Sequence, residues 1–131
     1  TLPGTIFTAA KEVEDMGGEA LPLELDIRYE DQIAKAVEET SNTFGGIDIL
    51  INNAAAISIT DTPNTTMKKY DLMHDINGRG VFLMSKACLP YLIESAKQGR
   101  NPHILNNSPV RSLTRIIMCP YLTGLLFSQS I

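Results

Sequence analysis

The fold is decided by residues 45–55, which read Gly45-Gly46-Ile47-Asp48-Ile49-Leu50-Ile51-Asn52-Asn53-Ala54-Ala55. The glycine pair ends the preceding segment, because glycine adopts left-handed backbone conformations freely. The β-branched isoleucines that follow predict a buried strand that is covered on both faces. Two amides and small side chains then leave space for a flat ligand at the carboxyl end of a parallel strand. An alternative interpretation of Asn52-Asn53 is a simple turn after the strand.

The segments before this strand alternate between helical and strand patterns. Apolar residues at helical spacing predict a helix over Thr5–Met16, which ends at Gly17-Gly18. Leucines that alternate with polar residues and proline predict a strand over Leu21–Asp26. Asp31 is a candidate cap for a second helix, which runs to about Phe44.

The segments after the strand continue the alternation. A long helical pattern begins near Pro63 and is apolar from about Ile76 to Ala96, with an interruption at Asn77-Gly78-Arg79-Gly80. The two glycines indicate either that two helices meet there or that a neighbouring segment approaches closely. A short strand is predicted over His103–Asn106. The order α, β, α, β, α, β predicts an α/β fold with a doubly wound parallel sheet, although three strands are few for such a sheet.

Length and composition exclude several classes of function. The 131 residues suit one domain, and a formal charge of −4 with a pI near 5.1 argues against nucleic acid as a partner. Cys88 and Cys119 lie in apolar surroundings and are expected to be reduced thiols in an intracellular protein. His74 and His103 have no neighbours at ligand spacing, so no metal site is expected. No apolar run reaches the length of a membrane span, and no signal peptide is expected.

Four features at the carboxyl ends of strands, or on the helix behind them, could do chemistry: Asp26, the Asn52–Ala55 loop, Asn77 and Ser108. A carboxylate or amide at a strand end can bind the exocyclic amine of a purine, and a serine can donate to a carbonyl oxygen. Each also has a structural interpretation, since Asp26 could cap a helix, Asn77 could mark a helix break and Ser108 could belong to a turn. Their shared location indicates a ligand site.

These residues resemble motifs of the short-chain dehydrogenase/reductase family. Asn52-Asn53-Ala54-Ala55 is similar to the Asn-Asn-Ala-Gly that ends one strand in that family, and Leu25-Asp26-Ile27 is similar to its adenine-facing strand end. The segment Asp75–Gly80 resembles the helix that carries the family's asparagine, and His103–Ser108 resembles the strand that leads to its serine. The resemblance covers about four-fifths of the chain, and residues 1–109 are identified as the central part of the family's domain.

The resemblance implies a Rossmann-like sheet and an NAD- or NADP-dependent oxidoreductase that acts on a carbonyl or alcohol of a lipid-like substrate. Asp26 and Ile27 would contact adenine, and Asn53, Ala54 and Ala55 would line the cofactor. The catalytic set would be Asn77, Ser108 and Tyr121. A homo-oligomer through the helix near residues 76–96 is implied, as is location in the peroxisome or the mitochondrion.

The sequence also departs from the family pattern. It contains no glycine-rich phosphate loop, and residues 110–131 form a divergent tail in which Leu125 stands where the family has lysine four residues after its tyrosine. Without that lysine, Tyr121 is expected to keep a phenol pKa of about 10 and to transfer protons poorly. Tyr121 either corresponds to the family's catalytic tyrosine or occurs at this spacing by coincidence. The chain is therefore expected to be an incomplete piece of the fold, without the first β-α-β unit and the last strands. The alternative function is an inactive chain that only packs or dimerises.

Overall fold

The computed structural model describes residues 4–107 and the backbone of a short strand at residues 129–130. Within these residues the α-helices are α1 (Ile6–Asp15), α2 (Glu30–Phe44), α3 (Met67–His74) and α4 (Val81–Lys97). The strands in the described part of the chain are β1 (Ile49–Asn52), β2 (His103–Asn106) and β3 (Gln129–Ser130). A short 3-10 turn spans Thr62–Asn64, and a π-helical segment, Asp75–Gly80, joins α3 to α4.

The described strands form one sheet in the order β1-β2-β3. β1 and β2 are parallel, with Ile49 opposite His103 and Asn52 opposite Asn106, so the predicted parallel pairing is confirmed. Their carboxyl ends therefore meet at one edge of the sheet. β3 runs antiparallel to β2, which is a departure from the all-parallel pattern that the helix and strand alternation predicted.

The predicted helices are confirmed with small shifts at their ends. Helix α1 begins after Thr5, whose hydroxyl accepts from the Thr8 amide at 3.2 Å, while the Thr8 hydroxyl accepts from the Thr5 amide at 2.7 Å. Helix α2 ends at Gly45, whose φ of 78° is the left-handed conformation expected of a glycine cap. Asp31 lies in the first turn of α2 and does not cap it; Tyr29 holds the cap position without a side-chain hydrogen bond.

The core lies between one face of the sheet and helices α2 and α4. It is formed by the buried side chains Ile33, Val37, Leu50, Leu83, Cys88 and Leu92. Burial raises the pKa of the Cys88 thiol to about 11, so this cysteine behaves as a small core residue, as predicted. Cys119 lies outside the described residues.

Two local predictions are wrong. Residues 21–26 are neither helix nor strand, because a strand requires a hydrogen-bonded neighbour and no described strand pairs with this segment. The expected cover on both faces of β1 is also not found in the described part of the chain. Ile49 is 60% and Ile51 58% exposed, because α2 and α4 pack on the opposite face, where Leu50 is buried.

Candidate functional site

At the carboxyl edge of the sheet, asparagine side chains at the ends of β1 and β2 form hydrogen bonds with each other. Asn52 ends β1, is only 8% exposed and donates from Nδ2 to Asn106 Oδ1 at 2.8 Å. The same nitrogen lies 3.3 Å from the hydroxyl oxygen of Ser85 in α4, and that hydroxyl donates to the Val81 carbonyl. These bonds satisfy the polar groups that the strand end brings into the core, and they fix where the next residues leave the sheet.

The residues that follow Asn52 are exposed at this edge. Asn53, Ala54 and Ala55 are all solvent-exposed, and Asn53 Oδ1 accepts from Asn107 Nδ2 at 2.7 Å. The amide of Asn107 also donates to the Asn52 carbonyl at 3.0 Å. Since the two alanines carry only methyl groups, the backbone of this loop is accessible, and its role in binding a flat ligand stays a prediction.

Asn77 lies in the π-helical segment and holds the far end of the same loop. Its Nδ2 donates to the Ala56 carbonyl at 2.8 Å, and its Oδ1 accepts from the Ala56 amide at 2.9 Å. The side chain therefore uses both of its polar atoms on the backbone of one residue. Of the two alternatives for Asn77–Gly80, the close approach of a neighbouring segment is confirmed, because Gly80 lies against Ile27 while the helix continues through this region with one wider turn.

Asp26 lies in a turn before α2 and forms a two-pronged ion pair with Arg28. Arg28 Nε lies 2.9 Å from Asp26 Oδ1 and 3.0 Å from Oδ2, its Nη2 donates to Oδ2, and its backbone amide donates to Oδ1 at 3.0 Å. The side-chain hydrogen bonds from Arg28, followed by the bond from its backbone amide, lower the pKa of Asp26 from 3.8 to about 2. Asp26 is therefore ionised at neutral pH.

The Asp26 carboxylate is held by Arg28 and remains partly exposed. A carboxylate offers about four acceptor positions, and the amide, Nε and Nη2 of Arg28 make four contacts with it, because Nε lies within hydrogen-bond distance of both oxygens. The side chain is also about one-third exposed. An exocyclic amine would reach this exposed carboxylate in place of one of the two Nε contacts, and in that arrangement the residues present can accommodate the adenine end of a nucleotide.

The π-helical segment contacts the Asp26 turn as well as the Ala56 loop. Arg79 Nη1 donates to the Arg28 carbonyl at 2.8 Å, and Arg79 Nη2 lies 3.4 Å from Glu30 Oε1. Gly80 is buried against Ile27, since a Cβ at this position would lie 2.7 Å from Ile27 Cδ1. The structure thus connects Asp26, Ile27, Asn77 and the β1 loop through one helical segment.

The sequence analysis did not identify Asn107, Arg28 or Arg79 as residues of this site. A signal existed for Asn107, because both strands end in a repeated asparagine pair, and the parallel register places Asn52 opposite Asn106. Nothing in the local sequence predicts the bond from Arg79 to the Arg28 carbonyl, since the two residues are 51 positions apart.

Ser108 and Tyr121, the two remaining predicted catalytic residues, lie outside the described residues, and their placement stays a prediction. No group of three or more metal-ligating side chains occurs within the described ranges. None of the helices described is both long and apolar enough to cross a membrane.

The model of the short chain dehydrogenase family matches residues 4–121. The chain therefore belongs to the short-chain dehydrogenase family, and its α/β fold with a parallel β1–β2 pair is part of the family's Rossmann-like sheet.

The chain is similar to hydroxysteroid dehydrogenase-like protein 2 of Xenopus tropicalis, with 57% identity over 115 residues. The match covers 88% of this chain and 27% of that protein, so the chain spans about a quarter of the relative's length.

Two solved structures show how the fold compares. A short chain dehydrogenase of Mycobacterium thermoresistibile is 45% identical, with a TM-score of 0.80 over 94% of this chain and 43% of that one. A 3-ketoacyl-(acyl-carrier-protein) reductase of Brucella melitensis, complexed with NADH, is 31% identical with a TM-score of 0.68. That match covers 77% of this chain and 43% of the reductase. These likenesses favour a nicotinamide cofactor in general.

Proposed function

We propose that this chain is part of an NAD- or NADP-dependent oxidoreductase that acts on a carbonyl or alcohol group of a lipid-like substrate. The observation that carries the proposal is the open carboxyl edge of the sheet, where small exposed side chains lie on a loop held by Asn77. Family membership supports oxidoreductase chemistry, and the name of the Xenopus relative supports a steroid-like or other lipid-like substrate.

The described residues would bind and orient the cofactor. Asp26 would accept the adenine amine while Arg28 keeps its carboxylate ionised, and Ile27 would lie against the ring. Asn53, Ala54 and Ala55 would line the rest of the cofactor without blocking the backbone. The nicotinamide ring, when bound, accepts or supplies the hydride.

Asn77 would hold the loop in place near the reacting groups, and Ser108 and Tyr121 would complete the catalytic set. Ser108 would hydrogen-bond the substrate oxygen, and Tyr121 would pass a proton to or from it. Leu125 offers Tyr121 no cationic neighbour, so proton transfer through Tyr121 would be slow at neutral pH.

Fluorescence titration of the purified chain with NADH and with NADPH tests the proposal. We expect saturable binding that adenosine monophosphate competes away and that Asp26→Ala weakens, because the variant has no carboxylate for the adenine amine. The matched control is Asp61→Ala, which removes an exposed carboxylate from the loop beyond Ala56. Absence of binding by the unaltered chain, or equal weakening by both variants, would contradict the proposal.

The alternative function is an inactive chain that pairs with another subunit through α4. Phe82 is 64% exposed, Leu89 40% and Ile93 39%, and all three lie on this helix. Sedimentation of the unaltered chain and of Phe82→Ser at several concentrations tests this alternative. A concentration-dependent dimer that the substitution weakens, together with no turnover of any carbonyl substrate, would favour it.

Location in the peroxisome or the mitochondrion is part of the same proposal and rests on the family resemblance alone. Imaging of the tagged native gene product against markers of both organelles tests it, and a diffuse cytosolic signal would contradict it.

A further inference from the structure

Arg79 connects the π-helical segment to the turn that carries Asp26. Its guanidinium donates to the Arg28 carbonyl at 2.8 Å and lies 3.4 Å from the Glu30 carboxylate. Arg28 in turn holds both oxygens of Asp26. A chain of polar contacts therefore runs from Arg79 through Arg28 to the carboxylate that faces the ligand.

Gly80 allows the π-helical segment to pack closely against the turn that carries Asp26. A Cβ at this position would lie 2.7 Å and 2.8 Å from two carbons of Ile27 and 3.1 Å from the Asp75 carbonyl oxygen. These distances are shorter than ordinary contacts, so only glycine allows the helix to approach Ile27 this closely. Gly80 is therefore buried at the point where the helix contacts the Asp26 turn.

Asn77 makes the corresponding contact on the other loop. Its side chain holds the Ala56 backbone through two hydrogen bonds of 2.8 Å and 2.9 Å. Within four consecutive residues, the π-helical segment therefore fixes the β1 loop at Asn77 and the Asp26 turn at Arg79 and Gly80. A segment that holds two loops at once sets the spacing between them.

We propose that Arg79 and Gly80 are positioning residues that set the distance between the adenine-facing turn and the β1 loop, and so determine affinity for the adenine half of the cofactor. This inference rests on the proposed function. Arg79 acts through the Arg28 carbonyl and does not need to touch the ligand. Loss of Arg79 leaves Asp26 and Arg28 paired but allows their turn to move relative to the β1 loop.

The test compares binding of adenosine monophosphate and of nicotinamide mononucleotide to the purified chain by titration calorimetry. We expect Arg79→Ala to weaken adenosine monophosphate about three- to tenfold, the effect of losing one charge-assisted hydrogen bond that is partly exposed. Binding of nicotinamide mononucleotide should change less than twofold. Arg79→Lys keeps one donor for the Arg28 carbonyl and should recover part of the affinity.

Two controls separate positioning from charge and from folding. Arg100→Ala removes the same charge at the opposite edge of the sheet, where Arg100 pairs with Asp48, and should leave both affinities unchanged. Glu30→Gln weakens only the 3.4 Å contact and should also have little effect. Gly80→Ala should reproduce the selective loss, and its fold is checked by circular dichroism and thermal unfolding.

The outcomes are distinguishable. If the unaltered chain binds neither nucleotide, the proposed function fails and this inference fails with it. If the unaltered chain binds adenosine monophosphate and Arg79→Ala binds it equally well, only the positioning role is overturned. Equal loss of both nucleotides with a lower melting temperature would show a purely structural role and would also overturn the inference.

Discussion

The two edges of the sheet use polar side chains in opposite ways. At the amino edge, Asp48 precedes β1 and accepts from the Ser95 hydroxyl at 2.5 Å and from Arg100 Nη1 at 3.2 Å. Ser95 is completely buried, so this cluster closes the corner between β1 and α4. At the carboxyl edge, the amides bind one another or a neighbouring backbone, and Asn53, Ala54 and Ala55 stay exposed.

The difference predicts that the amino edge contributes mainly to stability and that the carboxyl edge is the candidate ligand site. The amino edge uses its carboxylate to hold a helix against a strand. The carboxyl edge fixes the direction of its loops while the backbone stays accessible, which is where open α/β sheets bind ligands. Substitutions at the two edges should therefore have different consequences.

The largest effect is expected at the amino edge, from Ser95→Ala. This variant removes a buried hydrogen bond to a charged group and should lower the free energy of unfolding by about 1.5–3 kcal/mol. Asn53→Ala at the exposed edge should change it by no more than about 0.5 kcal/mol. Urea denaturation measures both values, and equal losses would contradict the separation of the two edges.

Asn52→Ala should have the next largest effect, because Asn52 is the buried member of the carboxyl edge. Its loss leaves Asn106 Oδ1 without a donor and should lower the free energy of unfolding by about 1–2 kcal/mol. The double variant Asn52→Ala/Asn106→Ala should cost less than the sum of the single variants, because the two amides act as a pair. Additive losses would show that the pair is not coupled.

Asn77→Ala should have a smaller effect on stability, about 1 kcal/mol, because its two bonds to Ala56 are exposed. The clearer readout is amide hydrogen exchange, which should become faster at Ala56. Asn77→Asp keeps the acceptor for the Ala56 amide but loses the donor to the carbonyl, so it should be intermediate. Unchanged exchange in Asn77→Ala would show that the side chain does not hold the loop.

The smallest effect is expected from the titration of Asp26. Because the folded state lowers the pKa of Asp26 to about 2, its contribution to stability is complete above its ordinary value of 3.8 and is lost as pH falls through about 2. The urea midpoint of the unaltered chain should therefore fall more steeply over this range than that of Asp26→Asn. Parallel curves would contradict the pairing with Arg28.

Local sequence patterns were sufficient for the elements that depend on their own residues. The apolar spacing of α2, its terminal Gly45 and the β-branched run of β1 all follow from neighbours in the chain. The prediction of a strand over residues 21–26 is wrong because a strand also needs a neighbouring strand to which it can hydrogen-bond. The alternation of residues in the sequence does not show whether such a neighbour is present. The exposed face of β1 was missed for the same reason, since Ile49 and Ile51 have the composition of a covered strand.

Local motifs indicated candidate site residues within single loops, and they gave no information on contacts between residues far apart in the sequence. Asn53–Ala55 and Asp26 were identified because small or acidic residues follow apolar runs. The contact of Arg79 with Arg28 joins residues 51 positions apart, and that of Ser95 with Asp48 joins residues 47 apart. The packing of α4 against β1 brings Ser95 to Asp48, and the packing of the π-helical segment against the Asp26 turn brings Arg79 to Arg28.

The proposed cofactor site at the carboxyl edge is tested most directly by nuclear magnetic resonance, which maps the changes in amide chemical shift that NADH causes in the isotope-labelled chain. We expect shifts at Asp26–Arg28 and Asn53–Ala56, and none at Asp48, Ser95 or Arg100. Shifts confined to the amino edge, or no shifts at saturating NADH, would contradict the claim that the carboxyl edge is the cofactor site.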